Sequence, residues 1–454
     1  MLLLSSWRNY SIFKQISASL IGLLLHLSLG ICQGFSAVLI PQLQNSNSEL
    51  QISSEEASWI ASVSVAAMPI VAVLVGLLME AIGRKRSIQV SFLPLAAGWA
   101  IIALAPSVVM ICIGRFITGC AIAMDPAVVV YIAETNVPKI RATLLSLTGP
   151  TVLIGILSSY LLGHFLYWRT AAAVLSVFSA VCFFLTFIIP ESPVWLISRD
   201  NVKEATESLK WLRSETTAVN VELDELLQAK LSKSSNKANE SFMQKIIRTK
   251  AWKPFLLLTF YFFLQQLCGI NIILYYAVNF YDAFGTPIDG FSSSLIYVLL
   301  SLFFAIIFTA IVEHAGRKTL TIVSSAGICL TYLSAAVYEY VWQNVPDKPI
   351  FWFPLVCIWL SVGFAMIGVN SLPWLMAGEL FPTQVRGVMT GVLWLTVYLY
   401  VFICVKLYPT IVSVVKIYGI LTIFSASGFV ALLFGKFFVP ETKGMSLIQI
   451  ESLW

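Results

Sequence analysis

Long apolar stretches recur along the chain, and they restrict its fold more than any other feature of the sequence. Each is close to the length, ~20 residues, with which a helix crosses the hydrocarbon core of a bilayer. A segment in that core must satisfy its own backbone hydrogen bonds, which favours helices. A chain with 58% apolar residues and a mean hydropathy of +0.86 is not composed like a soluble protein. The stretches predict an all-α membrane protein with twelve transmembrane helices, over residues 16–40, 59–79, 88–105, 108–131, 144–166, 170–189, 253–281, 291–312, 319–341, 351–377, 388–409 and 415–438.

Positive charges alternate between successive loops, which indicates an orientation. Loops 41–58 and 282–290 carry acidic residues and almost no Lys or Arg. Basic residues stand at the opposite ends of the spans, among them Arg8, Lys14, Lys85, Arg86, Lys139, Lys318 and Lys443. By the positive-inside rule we expect a multi-pass protein of the cell membrane with both termini in the cytoplasm. Because no basic face is free of this pattern, we expect no nucleic-acid partner.

Nothing in the sequence indicates an enzyme or a bound cofactor. All eight cysteines lie inside predicted spans, so we expect neither an external disulfide nor a metal cluster. His26, His164 and His314 are scattered, with no nucleophile or metal-binding spacing beside them. The long first span has no small-residue cleavage site, so we interpret it as a signal anchor.

The predicted span 253–281 carries a row of uncharged hydrogen-bonding side chains. On a continuous helix, about a third of the circumference would hold Gln265, Cys268, Asn271, Tyr275 and Asn279. Gln266 would point elsewhere unless the helix breaks at Gly269. Amides and hydroxyls at bilayer depth are costly unless they face partners or a water-filled cavity. Because such groups pair with a hydroxyl in either direction, the row suits an uncharged polyhydroxylated ligand. The alternative is polar contact between helices.

Three further polar residues lie inside other spans. Gln33, in the first span, either faces a cavity or pairs with another helix. An intramembrane cation such as Arg115 is a functional hypothesis by default. Asp125 follows ten residues later, which on a helix is roughly 15 Å away and too far for a direct ion pair. We interpret Asp125 either as a carboxyl that carries a proton, with Arg115 in the same site, or as a hydrogen-bonded structural acid.

The second half of the chain repeats the first. The repeated segments are 80–85 and 313–318, 134–141 and 379–386, and 190–192 and 440–442, with offsets of 233, 245 and 250 in the same order. This register predicts two six-helix bundles related by an axis along the membrane normal, with the ligand between them. We therefore divide the chain into an N-terminal bundle (1–189), a cytoplasmic linker (190–252) and a C-terminal bundle with a short cytoplasmic tail (253–454). Helical patterns over 202–212 and 221–231 predict short helices in the linker.

The repeated segments concentrate opposite charges at the basic ends of the spans. The set comprises Glu80, Arg84, Glu134, Arg141, Glu191, Glu313, Arg317, Glu379, Arg386 and Glu441. Glu80 lies one helical turn from Arg84, so the two can pair at the membrane face. A single exposed ion pair contributes only ~0–1 kcal/mol, so only a network would bias a conformational equilibrium. We interpret the set as a latch that, when intact, favours the state closed towards the cytoplasm. For the basic residues at 84–86, the alternative is a role in membrane topology only.

The amino-acid sequences of these motifs resemble those of a known family. Residues 265–271 read QQLCGIN and are followed by Tyr275 and Tyr276, which resembles the seventh-helix signature of the sugar porters in the major facilitator superfamily. The segments EAIGRK, YIAE with its following arginine, and PETKG at 440–444 also match, so the resemblance covers nearly the whole chain. Within the family it is similar to the facilitated trehalose and glucose transporters. The resemblance implies the major facilitator fold, alternating access, and sugar contacts at Gln265, Gln266, Asn271 and Trp374.

The tenth span carries the Pro-Trp pair of this resemblance. Pro373 can break the helix and expose carbonyl groups to a cavity. Trp374 either stacks on an apolar sugar face or is packed core.

Several positions depart from the family pattern. The replacements are Gly149 for a fifth-helix glutamine, Ser301 for an eighth-helix asparagine, Met366 for a tenth-helix glutamate, Val397-Tyr398 for an asparagine–tryptophan pair, and Val194 for an arginine. Each lost hydrogen-bonding partner forfeits ~1 kcal/mol of ligand bonding. The departures therefore favour a larger, less polar or different solute.

The energy source follows from one more position. Proton-coupled members of the family have an acid in the first helix where this chain has Cys32, so the resemblance implies a uniporter. We expect its partners to be a lipid bilayer and a small neutral sugar such as trehalose or a hexose, and a monomer is adequate for this function. The alternatives are a proton-coupled symporter that uses Asp125, and a sugar sensor that does not transport.

Overall fold

The computed structural model describes residues 2–45, 49–213, 216–235, 249–312, 314–345, 348–382, 385–443, 445 and 449–450, and every regular element in this part of the chain is a helix. The first half contains α1 (Leu2–Gln44), α2 (Ser54–Ile82), α3 (Arg84–Ala103), α4 (Val108–Ile122), α5 (Pro126–Thr135), α6 (Pro138–Ser146), α7 (Thr148–Phe165) and α8 (Trp168–Leu185), which ends in a short 3-10 turn (Thr186–Ile188). The connecting region contains α9 (Pro193–Ser198), α10 (Val202–Arg213) and α11 (Thr216–Ser235). The second half contains α12 (Trp252–Leu267), α13 (Ile270–Tyr275), α14 (Ala277–Asp282), α15 (Gly290–Ile311), α16 (Arg317–Val341), α17 (Phe353–Ile367), α18 (Leu372–Leu380) and α19 (Arg386–Phe437).

The apolar helices are long enough to cross a bilayer. Among the described residues, nine candidate spans have the required length and hydropathy, and a bent pair within α2, with 59° between its two parts, makes ten. The longest helix, α19, has 52 residues and as a straight helix would measure ~78 Å, more than twice the hydrocarbon core. Lys416, with φ 58° and ψ −178°, divides it into two helices. The division falls at the second residue of the predicted span 415–438, seven residues after the predicted span 388–409 ends.

Three predicted spans are interrupted near their middle. The fourth breaks between α4 and α5, where Pro126 has no backbone N–H to continue the ladder. The seventh breaks at Gly269, between α12 and α13. The tenth breaks between α17 and α18, just before Pro373. Each break frees backbone groups inside the membrane, and such irregular backbone is tolerated only where protein or a cavity surrounds it.

The helices pack closely within each half. In the first half, α1 lies along α7, α2 along α4, and α3 along α8. The approach of α1 to α7 depends on small residues, since a Cβ on Gly155 would lie 2.1 Å from the carbonyl oxygen of Leu27. In the second half, α19 packs against α16 and α12, and α15 against α17. The halves meet where α2 contacts α19 and α7 contacts α15.

The start of α2 is capped by its own side chains. Ser53 and Glu56 form a capping box, in which the Ser53 hydroxyl accepts from the Glu56 N–H and the Glu56 carboxylate accepts from the Ser53 N–H. The hydrogen bond from the Ser53 backbone lowers the pKa of Glu56.

The connecting helices lie where the patterns at 202–212 and 221–231 predicted them. The apolar side of α10 is buried through Ala205, Leu209 and Leu212, which follow helical spacing. Arg213 at its end donates to the carbonyl of Thr135 at 2.8 Å. This contact fastens the connecting region to the first half of the chain.

Candidate functional site

The break at Gly269 brings the second glutamine of the seventh span into the polar row. Gly269 has φ +81°, a left-handed conformation that glycine adopts without strain. A Cβ at this position would lie 2.4 Å from the ring of Phe424. Two features therefore require glycine at position 269: the left-handed backbone turn and the close packing against Phe424.

Four amides from the interrupted seventh and tenth spans form one hydrogen-bonded chain, which we call the amide chain. Asn271 Nδ2 donates to Gln266 Oε1 at 2.7 Å, and Gln266 Nε2 donates to Gln265 Oε1 at 3.0 Å. Gln265 Nε2 then donates to the carbonyl of Asn370 at 2.8 Å and lies 3.2 Å from its Oδ1. Gln265 and Gln266 are fully buried, whereas Asn271 is half-buried. The chain therefore has a rigid inner end and an accessible end at Asn271.

The inner end lies in the break of the tenth span. Asn370 belongs to the turn between α17 and α18, and its Nδ2 donates to the sulfur of Met366 at 3.3 Å. The sequence predicted exposed carbonyls before Pro373, but Asn370 was not among the predicted contact residues. An asparagine three residues before a proline inside an apolar span was the signal that could have identified it.

An aromatic wall lies on the same half. The Trp374 ring has the ring of Phe262 at 4.7 Å edge-on and the ring of Trp394 at 4.3 Å, measured between centroids. Trp394 in turn stacks with Tyr398 at 6.0 Å. Trp374 is 36% exposed, so part of its surface remains open. Trp394 was not predicted from the sequence, because aromatic residues are common throughout this chain.

Tyr275 and Gln33 occupy contrasting environments. Tyr275 is only 1% exposed, and the hydroxyl of the adjacent Tyr276 donates to the carbonyl of Val405 at 3.2 Å. A direct contact of Tyr275 with a solute therefore requires α13 to move. Gln33 on α1 is half-buried, and its assignment as a contact residue stays a prediction.

Arg115 on α4 is held by neutral groups from two other helices, α1 and α2. It is fully buried, and its guanidinium donates to the carbonyl of Cys32 at 2.7 Å and to that of Ile60 at 3.3 Å. It also donates to the hydroxyl groups of Ser36 and Ser64. These neutral acceptors disperse the charge of Arg115 and tie α4 to α1 and α2.

Asp125 pairs with a histidine rather than with Arg115. His26 Nδ1 lies 3.0 Å from Asp125 Oδ1, and the two side chains are 5% and 13% exposed. The contact lacks the alignment of a hydrogen bond, and neither atom has a hydrogen-bond partner among the described residues. No local pattern marks His26 in the sequence, because it lies on α1, far from Asp125 in the chain.

At the basic face, the first half carries one compact charge cluster. Arg84 Nη2 lies 2.9 Å from Glu80 Oε1, and Arg84 Nε lies 3.1 Å from Glu134 Oε2. Ser192 donates to Glu134. The Glu191 carboxylate accepts from the backbone N–H of Lys85 at 2.8 Å, so it caps the start of α3.

The second half carries the matching cluster. Arg317 Nη2 lies 2.9 Å from Glu379 Oε1. Thr442 donates to Glu379 Oε2 at 2.7 Å. The Glu441 carboxylate accepts from the backbone N–H groups of Arg317 at 2.9 Å and Lys318 at 3.2 Å, so it caps the start of α16. Among the described residues, Arg84, Glu134, Glu191 and Ser192 correspond to Arg317, Glu379, Glu441 and Thr442.

Of the remaining members of the predicted latch, the structure describes the side chain of Arg141. Arg141 donates to the carbonyl of Asn136 at 3.2 Å. Glu313 and the side chain of Arg386 lie outside the described residues. A cavity of about 780 Å³ opens beside the first cluster, and it is lined by Glu134, Arg141, Arg213, Glu222 and neighbouring apolar residues.

Gly149 leaves free volume in the fifth span. A Cβ built on it would meet no heavy atom within 4 Å. The missing side chain is therefore not compensated by a neighbour in the described structure.

The family model described as "Sugar (and other) transporter" matches residues 15–454. The chain is 32% identical over 432 residues to the facilitated trehalose transporter Tret1 of Bombyx mori, covering 94% of this chain and 84% of the relative. It is 32% identical over 445 residues to Tret1 of Apis mellifera ligustica, covering 96% and 87%.

The fold is similar to that of XylE from E. coli in its inward open conformation. The TM-score is 0.77 at 21% identity, with 98% of this chain and 100% of that chain covered. The proton:xylose symporter XylE bound to 6-bromo-6-deoxy-D-glucose gives a TM-score of 0.74 at 20% identity, with 98% and 99% covered.

Proposed function

Since this chain belongs to the sugar (and other) transporter family, we propose that it is a facilitative transporter of a small neutral sugar, of the class of trehalose or a hexose. The observation that carries the proposal is the amide chain from Asn370 to Asn271. Its groups are uncharged, pre-ordered by one another and accessible at Asn271, which suits a ligand made of hydroxyl groups. The protein is a transporter and not an enzyme.

Trp374 completes the proposed sugar site. Its partly open ring offers an apolar surface, and a pyranose ring has an apolar face of similar size. The amides would then fix the hydroxyl groups at the edge of the sugar.

The architecture we propose has twelve spans in two pseudo-equivalent bundles. The ten candidate spans, the division of α19 at Lys416 and the interrupted seventh span α12–α14 account for this number. The matching charge clusters support the relation between the bundles. The positive-inside rule supports cytoplasmic termini, so the basic face would be the inner face and the opposite face the outer one, in the cell membrane.

The proposed cycle is alternating access. The halves touch along α2 and α19 and along α7 and α15, whereas the cavity beside Glu134 opens at the basic face. The contacts between the halves support a state closed on the outer side, and the cavity lies between the first half and the connecting helices. Approach of the two charge clusters would close the basic face and form the latch, with Arg141 and Arg386 as its additional cations. Sugar bound between the halves would lower the barrier between the two states.

The pairing of Asp125 with His26 favours uniport over proton symport. His26 Nδ1 and Asp125 Oδ1 lie 3.0 Å apart and both side chains are largely buried, so the carboxyl already has a partner inside the first half. Asp125 is therefore a structural acid in our proposal. Symport through Asp125 is the second candidate, because a carboxyl group inside a span is a functional hypothesis by default.

Uptake into proteoliposomes tests the function. The purified protein should equilibrate trehalose or a hexose from a panel of glucose, fructose, trehalose and polyols, with the same final level at two pH values. Accumulation above the external concentration that a protonophore abolishes would establish symport instead. Absence of saturable uptake for every member of the panel would exclude the sugar carrier.

A further inference from the structure

We propose that Lys406 is the cation that locks the outer side of this carrier, and that its release from α2 is required before the outward-open state forms. The proposal rests on the alternating-access function proposed above, and it adds a gating residue to it. Lys406 lies in the first part of α19, in the second half of the chain. Its partners belong to the first turns of α2, in the first half.

Two contacts hold the Lys406 ammonium group at this place. Its Nζ donates to the hydroxyl of Ser58 at 2.7 Å. The same Nζ lies 3.9 Å from the ring centroid of Trp59. A cation at this distance from an indole face is attracted by the ring quadrupole, and the attraction grows where water is excluded. One ammonium group thus joins two consecutive residues of the opposite half.

The charges around Lys406 favour the same position. Glu55, one turn before Trp59, is close enough to attract the ammonium group electrostatically. Glu55 is exposed, so its contribution is screened by solvent. Lys406 itself is half-buried within a span, and a cation there needs partners. Separation of α2 from α19 would remove Ser58 and Trp59 together.

The lock belongs to a row of contacts between the halves. Asn279 Nδ2 donates to Gln44 Oε1 at 2.8 Å, joining the outer ends of α14 and α1. The Tyr160 hydroxyl donates to the carbonyl of Leu274 at 2.9 Å, joining α7 to α13. These contacts close the outer side by ordinary hydrogen bonds. Lys406 is the charged member among the hydrogen-bonding residues described in this row.

A stacked ring pair extends the row further. The rings of His164 on α7 and Phe291 on α15 are parallel within 14°, with centroids 4.1 Å apart. The contacts Asn279–Gln44, Tyr160–Leu274 and His164–Phe291 must all break when the carrier opens outward. The contacts of Lys406 must break with them. A cation–π contact and a hydrogen bond from a charged donor are stronger than the neutral contacts. Lys406 therefore contributes most of the free energy that opposes outward opening.

The test measures conformation without sugar. The accessible native cysteines are replaced by alanine, and new cysteines for spin labels replace Glu49 and Ala283, one on each half at the outer face. Pulsed electron paramagnetic resonance then measures the distance between the two labels. We expect a short distance to dominate in the parent protein. Lys406→Met should raise the ratio of long to short distances ~5- to 10-fold. Lys406→Arg, which keeps the cation and the donor, should remain near the parent value.

Two further variants keep the result decisive. Trp59→Leu removes the ring while leaving the lysine, and should shift the ratio in the same direction as Lys406→Met. It alone decides if Lys406→Met fails to fold. Lys436→Met removes an exposed lysine from the other end of α19 and should leave the ratio unchanged.

The proposal is overturned if Lys406→Met and Trp59→Leu leave the distances as in the parent, or if Lys406→Arg or Lys436→Met shifts them as much as Lys406→Met. Because no solute is added, these results are independent of the sugar uptake assay. If the protein takes up none of the tested sugars, the distance change in Lys406→Met can still be measured. If the distances show no role for Lys406, the proposed sugar transport is unaffected.

Discussion

At the basic face, the Arg84–Glu134 pair of the first half has its counterpart in the Arg317–Glu379 pair of the second, with similar distances and the same helix-capping carboxylates beside them. At mid-depth the halves differ. The first half holds the guanidinium of Arg115 and a carboxyl–imidazole pair, whereas the second half holds the neutral amide chain. The two halves are therefore similar at the basic ends of their helices and different inside the spans.

This contrast teaches where each half is constrained. Two bundles that rock against each other need matching ends, because both must form the same closed arrangement on one side. A sugar bound between them meets each bundle only once. One half can therefore supply most of the hydrogen bonds while the other supplies rigidity. If this division of roles is correct, substitutions in the amide chain should impair uptake more than substitutions inside the spans of the first half.

The largest effect is expected in the amide chain. Gln266→Leu removes its middle member and leaves Gln265 Oε1 and Asn271 Nδ2 without partners. Loss of two buried hydrogen bonds should lower kcat/KM for uptake roughly 100-fold. Initial uptake rates, corrected for the amount of protein in the membrane, measure this.

Gln89→Leu is the matched control, because Gln89 Nε2, in the first half, has no hydrogen-bond partner among the described residues. It should retain uptake. Equal losses in both variants would mean that the amide chain has no special role and that the contrast between the halves is wrong.

A smaller and equal effect is expected at the two basic-face clusters. Glu134→Gln and Glu379→Gln each remove the charge that holds an arginine, and each should slow uptake ~10-fold while the protein stays in the membrane. The comparison is made by surface labelling together with uptake rates. Asp200→Asn removes an exposed acid at the same face and should have little effect. A large loss in only one of the two cluster variants would break the equivalence of the halves.

A modest change of selectivity is expected at Gly149. Gly149→Gln places an amide in free volume of the first half, and should raise the preference for glucose over trehalose ~5-fold through about one added hydrogen bond. Competition uptake with both sugars measures the ratio. Gly149→Leu fills similar volume without the amide. If Leu shifts the ratio as Gln does, volume rather than hydrogen bonding decides selectivity.

The smallest effect is expected at Asp125. Asp125→Asn keeps the shape and an acceptor for His26, so uptake should stay within ~2-fold of the parent at both pH values. Uphill uptake in the parent that a protonophore abolishes and that Asp125→Asn lacks would instead make this pair a proton carrier, and the first half would take part in energy coupling.

Some site features followed from local sequence and others did not. The glutamine pair, Asn271 and the break before Pro373 were expected, because their residue types and spacing are unusual inside apolar spans. Whether Gln266 joined the row depended on Gly269, and the left-handed turn there decided it. Asn370, Trp394 and His26 were missed, since their roles come from neighbours on other helices. Trp374 was left between sugar contact and core, and its partial exposure supports the contact.

The sequence by itself determined that this chain crosses a membrane many times, that its halves repeat and that neutral polar groups lie at mid-depth. Length, composition and spacing are local properties, and the bilayer allows few structures that satisfy them. Only the tertiary structure decided which polar groups meet: Gln265 with Asn370, His26 with Asp125, and Lys406 with Ser58, 348 residues apart. Those pairings depend on which helix faces pack together, and packing between distant helices leaves no periodic trace in the chain.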